Sequence, residues 1–167
     1  MKFFYLCKYL ILLICTQSCG IYSFTGASIP PGAETVSIEY FPNKATTIQA
    51  SLSQVFTEKL RDQFIEQTNL NLDNKGGDLT FNGYIKKYEI KPISIKSNET
   101  ASQNRLTISV HVIYKNNINP KTNFEQTFSR YKDFQSSINI TDIEEDLIDE
   151  ITTQLIEDIF NKSIVNW

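Results

Sequence analysis

Arg105-Leu-Thr-Ile-Ser-Val-His-Val-Ile-Tyr114 decides the fold of this chain. Leu106, Ile108, Val110, Val112 and Tyr114 alternate with Arg105, Thr107, Ser109 and His111. A period of two places the first set on one face of a strand and the second on the other. The strand is therefore apolar on one side and polar on the other, as in a sheet covered by helices on a single face. Downstream, Asn116 to Thr122 holds Pro120 and three asparagines and predicts a hairpin turn, after which Phe124 to Phe134 returns as a strand. Upstream, residues 96–104 are a polar loop, and Leu79-Thr-Phe-Asn-Gly-Tyr-Ile85 alternates again. The alternation changes phase at Lys86-Lys87 before Tyr88 and Ile90 resume it, which predicts a bulge. Pro92 predicts an edge or the end of pairing.

Further out, Thr35-Val-Ser-Ile-Glu-Tyr40 alternates and is closed by Pro42-Asn43. Residues 47–67 carry Ile48, Leu52, Val55, Phe56, Leu60 and Phe64 at helical spacing. Asn69 to Asp78, with Gly76-Gly77, is expected to be a turn. The last element is a helix. Thr141-Asp-Ile-Glu144 has the pattern of a capping box, and Ile143, Leu147, Ile151, Leu155 and Ile159 form its apolar stripe, widened by Ile148 and Phe160. The expected order is β-α-β-β-β-α. The expected fold class is α+β, a two-layer sandwich of two helices on a four-stranded mixed or antiparallel sheet.

The N-terminus carries a different message. Lys2 and Lys8 precede Tyr9-Leu-Ile-Leu-Leu-Ile-Cys15, and Thr16-Gln-Ser-Cys19 follows. The apolar run is far shorter than the roughly 20 residues of a membrane span. A positive start, a short apolar core and small residues make a secretory signal. Ser18 before Cys19 makes it a lipoprotein signal, with Cys19 the acylated residue. Cys15 is the weaker candidate, since bulky Ile14 precedes it, and Thr16 stands where leucine is usual. The organisation is then residues 1–18 signal peptide, 19–34 acylated cysteine and Gly/Pro-rich tether, and 35–167 a single domain. Tyr22 and Phe24 on the tether are placed to pack on the domain or sit at lipid headgroups.

Composition narrows the chemistry. The 167 residues carry a formal charge of −3, and loss of Lys2 and Lys8 makes the mature chain more acidic still, which argues against nucleic acid as a partner. Cys7, Cys15 and Cys19 are the only cysteines and His111 the only histidine, which removes Cys–His catalysis and the common zinc sites. No phosphate-binding glycine loop and no Gly-x-Ser-x-Gly elbow is present. We therefore expect no catalytic residue, no metal site and no cofactor beyond the lipid on Cys19. Asp142, Glu144, Glu145 and Asp146 complement the dipole at a helix start rather than hold a metal. Asn98-Glu-Thr100 and Asn139-Ile-Thr141 fit a glycosylation pattern that carries no meaning in a bacterial lipoprotein. The one binding pattern is basic. Lys86, Lys87, Lys91 and Lys96 interleave with Tyr84, Tyr88 and Ile90, and Arg105 and His111 come near if the strands pair. Cations beside apolar groups suit a ligand with anionic heads and acyl tails. The same lysines also suit a solvated strand edge protected from unwanted pairing.

The chain resembles the lipopolysaccharide-assembly lipoprotein family LptE, in its Bacteroidota form. The resemblance runs through Cys19-Gly-Ile-Tyr-Ser-Phe-Thr-Gly-Ala27, Ile38-Glu-Tyr-Phe-Pro-Asn43, Leu52-Ser-Gln-Val-Phe-Thr-Glu-Lys-Leu60 and Gly77-Asp-Leu-Thr-Phe-Asn-Gly83. It continues in Asn104-Arg-Leu-Thr-Ile108, Phe124-Glu-Gln-Thr-Phe-Ser-Arg-Tyr131 and Asn166-Trp167. It implies two helices on a four-stranded sheet and a non-enzymatic role. Such a protein sits inside the LptD outer-membrane β-barrel, helps it assemble and assists insertion of lipopolysaccharide into the outer leaflet. The family's contact with lipopolysaccharide is attributed to basic residues at one end of the sheet. By charge and position these are expected to be Lys86, Lys87, Lys91 and Arg105. Gly20 is not the inner-membrane retention residue Asp, and no acidic run follows Cys19, so the expected location is the outer membrane, lipid-anchored and facing the periplasm. The alternative is a periplasm-facing lipoprotein accessory to another outer-membrane assembly or transport complex. An enzyme acting on envelope glycans or lipids would need a clustered carboxylate pair, whereas the acids here concentrate on helices.

Overall fold

The computed structural model describes residues 29–93 and 102–165. The expected signal peptide, Cys19, Tyr22, Phe24, Lys96, the Asn98 sequon and Asn166-Trp167 lie outside the described residues. The order is β1 Thr35–Ile38, α1 Leu52–Gln67, β2 Asn71–Leu72, β3 Leu79–Ile93, β4 Gln103–Asn116, β5 Phe124–Gln135 and α2 Ile140–Phe160. A π-helical turn, Asn161–Val165, closes it. The strands form one sheet in the order β2-β1-β3-β4-β5. β1 is parallel to both β2 and β3, while β3, β4 and β5 are antiparallel. Both helices lie on one face, giving the expected two-layer α+β sandwich.

Three expectations need correction. The sheet has five strands, not four. β2 falls inside the polar stretch read as a turn, where Thr35 pairs with Asn71 and Val36 with Leu72. Two residues are too few to show alternation. Helix α1 begins at Leu52 rather than residue 47, and Ile48 stands 70% exposed outside it. The Asn43 side chain donates to Gln49 O and accepts from Ala45 N, and Gln49 Oε1 accepts the Leu52 N–H at 2.8 Å. These bonds hold the approach as a loop and supply the helix start. Finally, α2 is capped by Asn139, whose side chain accepts the Thr141 N–H at 3.3 Å, and not by Thr141. Glu144 does not close a capping box, because it accepts a hydrogen bond from the Tyr88 hydroxyl of β3.

The core fills the space between the layers. Leu52, Phe56, Leu60 and Phe64 of α1 and Leu147, Ile151, Leu155 and Ile159 of α2 are buried against Val36, Phe81, Ile85, Leu106, Ile108, Val110 and Val112. Phe64 links the layers, with ring centroids 4.9 Å from Phe81 and 5.1 Å from Phe160. Gly83 faces the same core. A Cβ there would lie 2.8 Å from the Phe41 ring and 2.0 Å from His111 O, so the missing side chain makes room for Phe41. Ion pairs fasten the rim: Arg130–Asp158 and Lys132–Glu150 join β5 to α2, and Lys59–Asp149 joins the helices.

The sheet has two distinct ends. At one, Asp78 accepts from Glu34 N, Thr35 N and Thr35 Oγ1, and Asn117 N donates to Asp78 O. The chain therefore enters β1 beside the β4–β5 turn. At the other, Ile93 faces Gln103 and Gln103 faces Gln135. The fourteen residues of β4 set these ends roughly 40 Å apart.

Candidate functional site

A bulge creates the basic patch. From Leu79 to Ile85 the odd-numbered side chains point to the helices. The register then shifts between Ile85 and Lys87, after which Tyr88 is the buried residue. A shift of one residue turns every later side chain over. Lys87, Glu89 and Lys91 therefore lie on the helix-free face, opposite Ser109, Thr107 and Arg105 of β4. Arg105 in turn lies opposite Asp133 of β5.

The structure brings Lys87, Lys91 and Arg105 onto one face at the end remote from the chain entry. Lys86 is the unopposed residue of the bulge, exposed and in no ion pair among the described residues. His111 is not part of the patch. It sits six positions along β4 from Arg105, roughly 20 Å away. There its ring lies 5.0 Å from Tyr84, with Nε2 3.0 Å from Glu125 Oε1 and Nδ1 3.3 Å from Thr127 Oγ1.

The cations are not bare. Glu89 bridges two of them, at 2.7 Å from Lys87 Nζ and 3.0 Å from Lys91 Nζ. The hydrogen bonds from Lys87 and then Lys91 hold the Glu89 carboxyl below the usual carboxylate range. Arg105 grips Asp133 with two bonds of 2.6 and 2.8 Å, and its guanidinium carbon lies 3.6 Å from the centre of the Tyr131 ring. That fork lowers the Asp133 pKa and raises that of Arg105. Three cations on this face thus meet two carboxylates, with Lys86 apart on the bulge. An incoming phosphate would meet a planar, pre-oriented guanidinium and flexible ammonium groups, in competition with Glu89 and Asp133. Sequence reading missed Glu89, Asp133 and Tyr131 as members of this group. Glu89 was findable, since Lys87-x-Glu-x-Lys91 puts all three on one strand face. Asp133 was findable only once the hairpin was centred on Asn119, which makes it the partner of Arg105.

Elsewhere, a cleft of about 520 Å³ opens between the N-terminal halves of the helices, lined by Val55, Ile148, Glu144, Glu145 and Asp149. Its acids do not suit an anionic headgroup. No group of three or more metal-ligating side chains occurs among the described residues, and no helix among them is long and apolar enough to cross a membrane.

Comparison with known proteins fixes the family. The family LptE, described as Lipopolysaccharide-assembly, matches residues 33–163. No curated protein matches the sequence. Among solved structures, the chain is similar to uncharacterized lipoprotein B from Nitrosomonas europaea, at 14% identity and TM-score 0.52 over 84% of this chain and 86% of that one. It is similar also to a putative neuraminyllactose-binding hemagglutinin homolog from Helicobacter pylori, at 11% identity and TM-score 0.52 over 84% and 88%. At these identities the likeness is one of fold. The match to the family covers both helices and all five strands, and the chain belongs to the LptE family of lipopolysaccharide-assembly proteins.

Proposed function

We propose that this protein is an outer-membrane lipoprotein, acylated at Cys19, that occupies the lumen of an LptD-type β-barrel, helps it assemble and assists lipopolysaccharide insertion into the outer leaflet. The observation that carries this reading is the family match over residues 33–163. The geometry is compatible with it. The helix-free sheet face presents Thr107, Ser109, His111, Thr127 and Ser129, and a polar face suits the polar interior of an outer-membrane barrel. The acyl chains keep the domain beside the barrel at high local concentration. Lys86, Lys87, Lys91 and Arg105 are the groups we assign to the lipid A phosphates. The role is one of binding and assembly, without catalysis, metal or cofactor.

The test is affinity purification of the tagged, acylated protein from detergent-solubilised outer membranes. Recovery of one large β-barrel in near-equal amount is the expected result. Recovery of a different complex would replace this reading with that of an accessory lipoprotein to another outer-membrane machine. Recovery of the protein alone would remove the barrel partner.

A further inference from the structure

The β4–β5 turn is built more firmly than a simple connection requires. Asn116 is 1% exposed, and both ends of its side-chain amide are hydrogen-bonded. Its Oδ1 accepts the N–H groups of Ile118 and Asn119, and its Nδ2 donates to Thr122 Oγ1. Asn123 Oδ1 accepts the Asn116 N–H, and Asn117 Nδ2 donates to Gly77 O. Pro120–Thr122 form a short 3₁₀ turn. At the apex of this network stands Ile118, 42% exposed. Its backbone is needed for the turn and its side chain is not.

Charge and position add to this. Between Tyr114 and Phe124 the chain carries Lys115 and Lys121, both exposed, and no acid. Acids also lie at this end: Asp78, held by the Glu34 and Thr35 N–H groups, Asp73, which accepts the Lys75 N–H, and exposed Glu34, all outside the turn itself. The chain also enters the domain here. Gly32 has φ +88, and a Cβ on it would come within 3.9 Å of Ile118 Cδ1. Nine residues, 20–28, separate Cys19 from Ile29. Fully extended they reach at most roughly 35 Å, so an acylated Cys19 holds this end of the sheet close to its own membrane.

We infer that the β4–β5 turn is a membrane-contact element, which seats Ile118 among the lipid headgroups with Lys115 and Lys121 beside their phosphates. The inference rests on the acylation of Cys19. The tether alone would let the domain swivel about its anchor. A second, rigid contact fixes the long axis of the sheet against the membrane. An apolar side chain flanked by cations is the chemistry that lipid interfaces select.

The test uses the acylated mature chain carrying Ile118→Cys. The three native cysteines are Cys7 and Cys15 of the signal and Cys19, whose sulfur is consumed by lipid, so the new thiol takes an environment-sensitive dye alone. Ile138→Cys is the control, an equally exposed isoleucine (39%) in the turn after β5 at the opposite end. Both are bound to vesicles of phosphatidylethanolamine and phosphatidylglycerol containing a lipid-borne quencher. We expect blue-shifted emission at position 118, quenched several-fold more strongly than at 138, and water-like emission at 138. Flotation with the vesicles but water-like emission at both positions would overturn the membrane contact and leave the anchor standing. Equal quenching at both would overturn the fixed orientation. Failure to float would overturn the anchor, and this inference with it.

Discussion

Replacing Gly83 with alanine tests the closest approach in the fold. Gly83 lies in β3 with φ +155. A Cβ there would sit 2.0 Å from the carbonyl oxygen of His111 on β4, 2.8 Å from Phe41 Cε1 and 3.0 Å from His111 C. The first and last obstacles are backbone and cannot rotate away. Relief requires β3 and β4 to separate by about 1 Å, beside the paired Gly83 and Val112. The Phe41 ring must also leave its edge-to-face contact with Phe56, at 5.1 Å. Its backbone N–H would strain against the bond it donates to buried Thr57 Oγ1. Backbone strain, a disturbed ladder and a displaced aromatic together place the cost at about 3–5 kcal/mol. For a domain of this size that lowers the melting temperature by about 10 °C. The assay is urea and thermal unfolding of the mature chain, with Cys19→Ser so that it stays in solution. A Gly83→Ala chain with an unchanged midpoint would refute the placement of Phe41 over this glycine and the tight β3–β4 contact.

Three further outcomes follow from the structure. Tyr114→Phe is expected to be neutral or to stabilise by about 1 kcal/mol in the same unfolding assay, because the buried hydroxyl makes no well-formed hydrogen bond among the described residues; burial pushes its pKa up to about 12, against a smaller lowering by the neighbouring Asn116 and Thr122 side chains. Asp78→Asn is expected to destabilise at neutral pH and to converge with the parent chain in acid. The bonds from Glu34 N and Thr35 lower the folded pKa of Asp78 below its ordinary 3.8, so its contribution is complete above that value and is lost as the pH falls through the lower folded value; urea midpoints against pH measure it. At the patch, two changes of opposite sign are expected in lipopolysaccharide-binding titrations. Replacing Lys86, Lys87 and Lys91 together with Glu weakens binding in a folded protein, while Glu89→Gln releases both lysines and strengthens binding by about fivefold at low salt, less at high salt. Unchanged binding in both variants would remove the patch from the function.

The antiparallel half of the fold was legible because its signals are long. Leu106 to Tyr114 sustains alternation over nine residues, and the turn around Pro120 fixes which strand follows. The bulge at Lys86 was visible as a change of phase. What escaped was local or distant in sequence. β2 is two residues whose pairing with β1 depends on a contact 36 positions away. Ile48 continues the helical stripe in sequence, but the Asn43–Gln49 bonds keep it out of the helix. The acid that matches a capping box, Glu144, is recruited by Tyr88 of β3, a partner that no local pattern announces. The site was half legible for the same reason. A row of lysines is visible in one segment, whereas the carboxylate that holds Arg105 belongs to another strand. The patch consequently looked more naked in sequence than it is in the fold.

The β4–β5 hairpin has one more consequence. It is a stiff pillar roughly 40 Å tall, and a bilayer with its headgroups is about 40–45 Å thick. Its foot is the turn at Ile118, beside the point where the chain enters the domain, and its head carries Arg105, with Lys91 of β3 paired beside it. Stood upright in the barrel we propose, with its foot at the leaflet of the proposed acyl anchor, it would lift those cations to the height of the opposite leaflet. The length of one ladder would then act as a gauge, matching where the protein is tethered to where its charge is delivered.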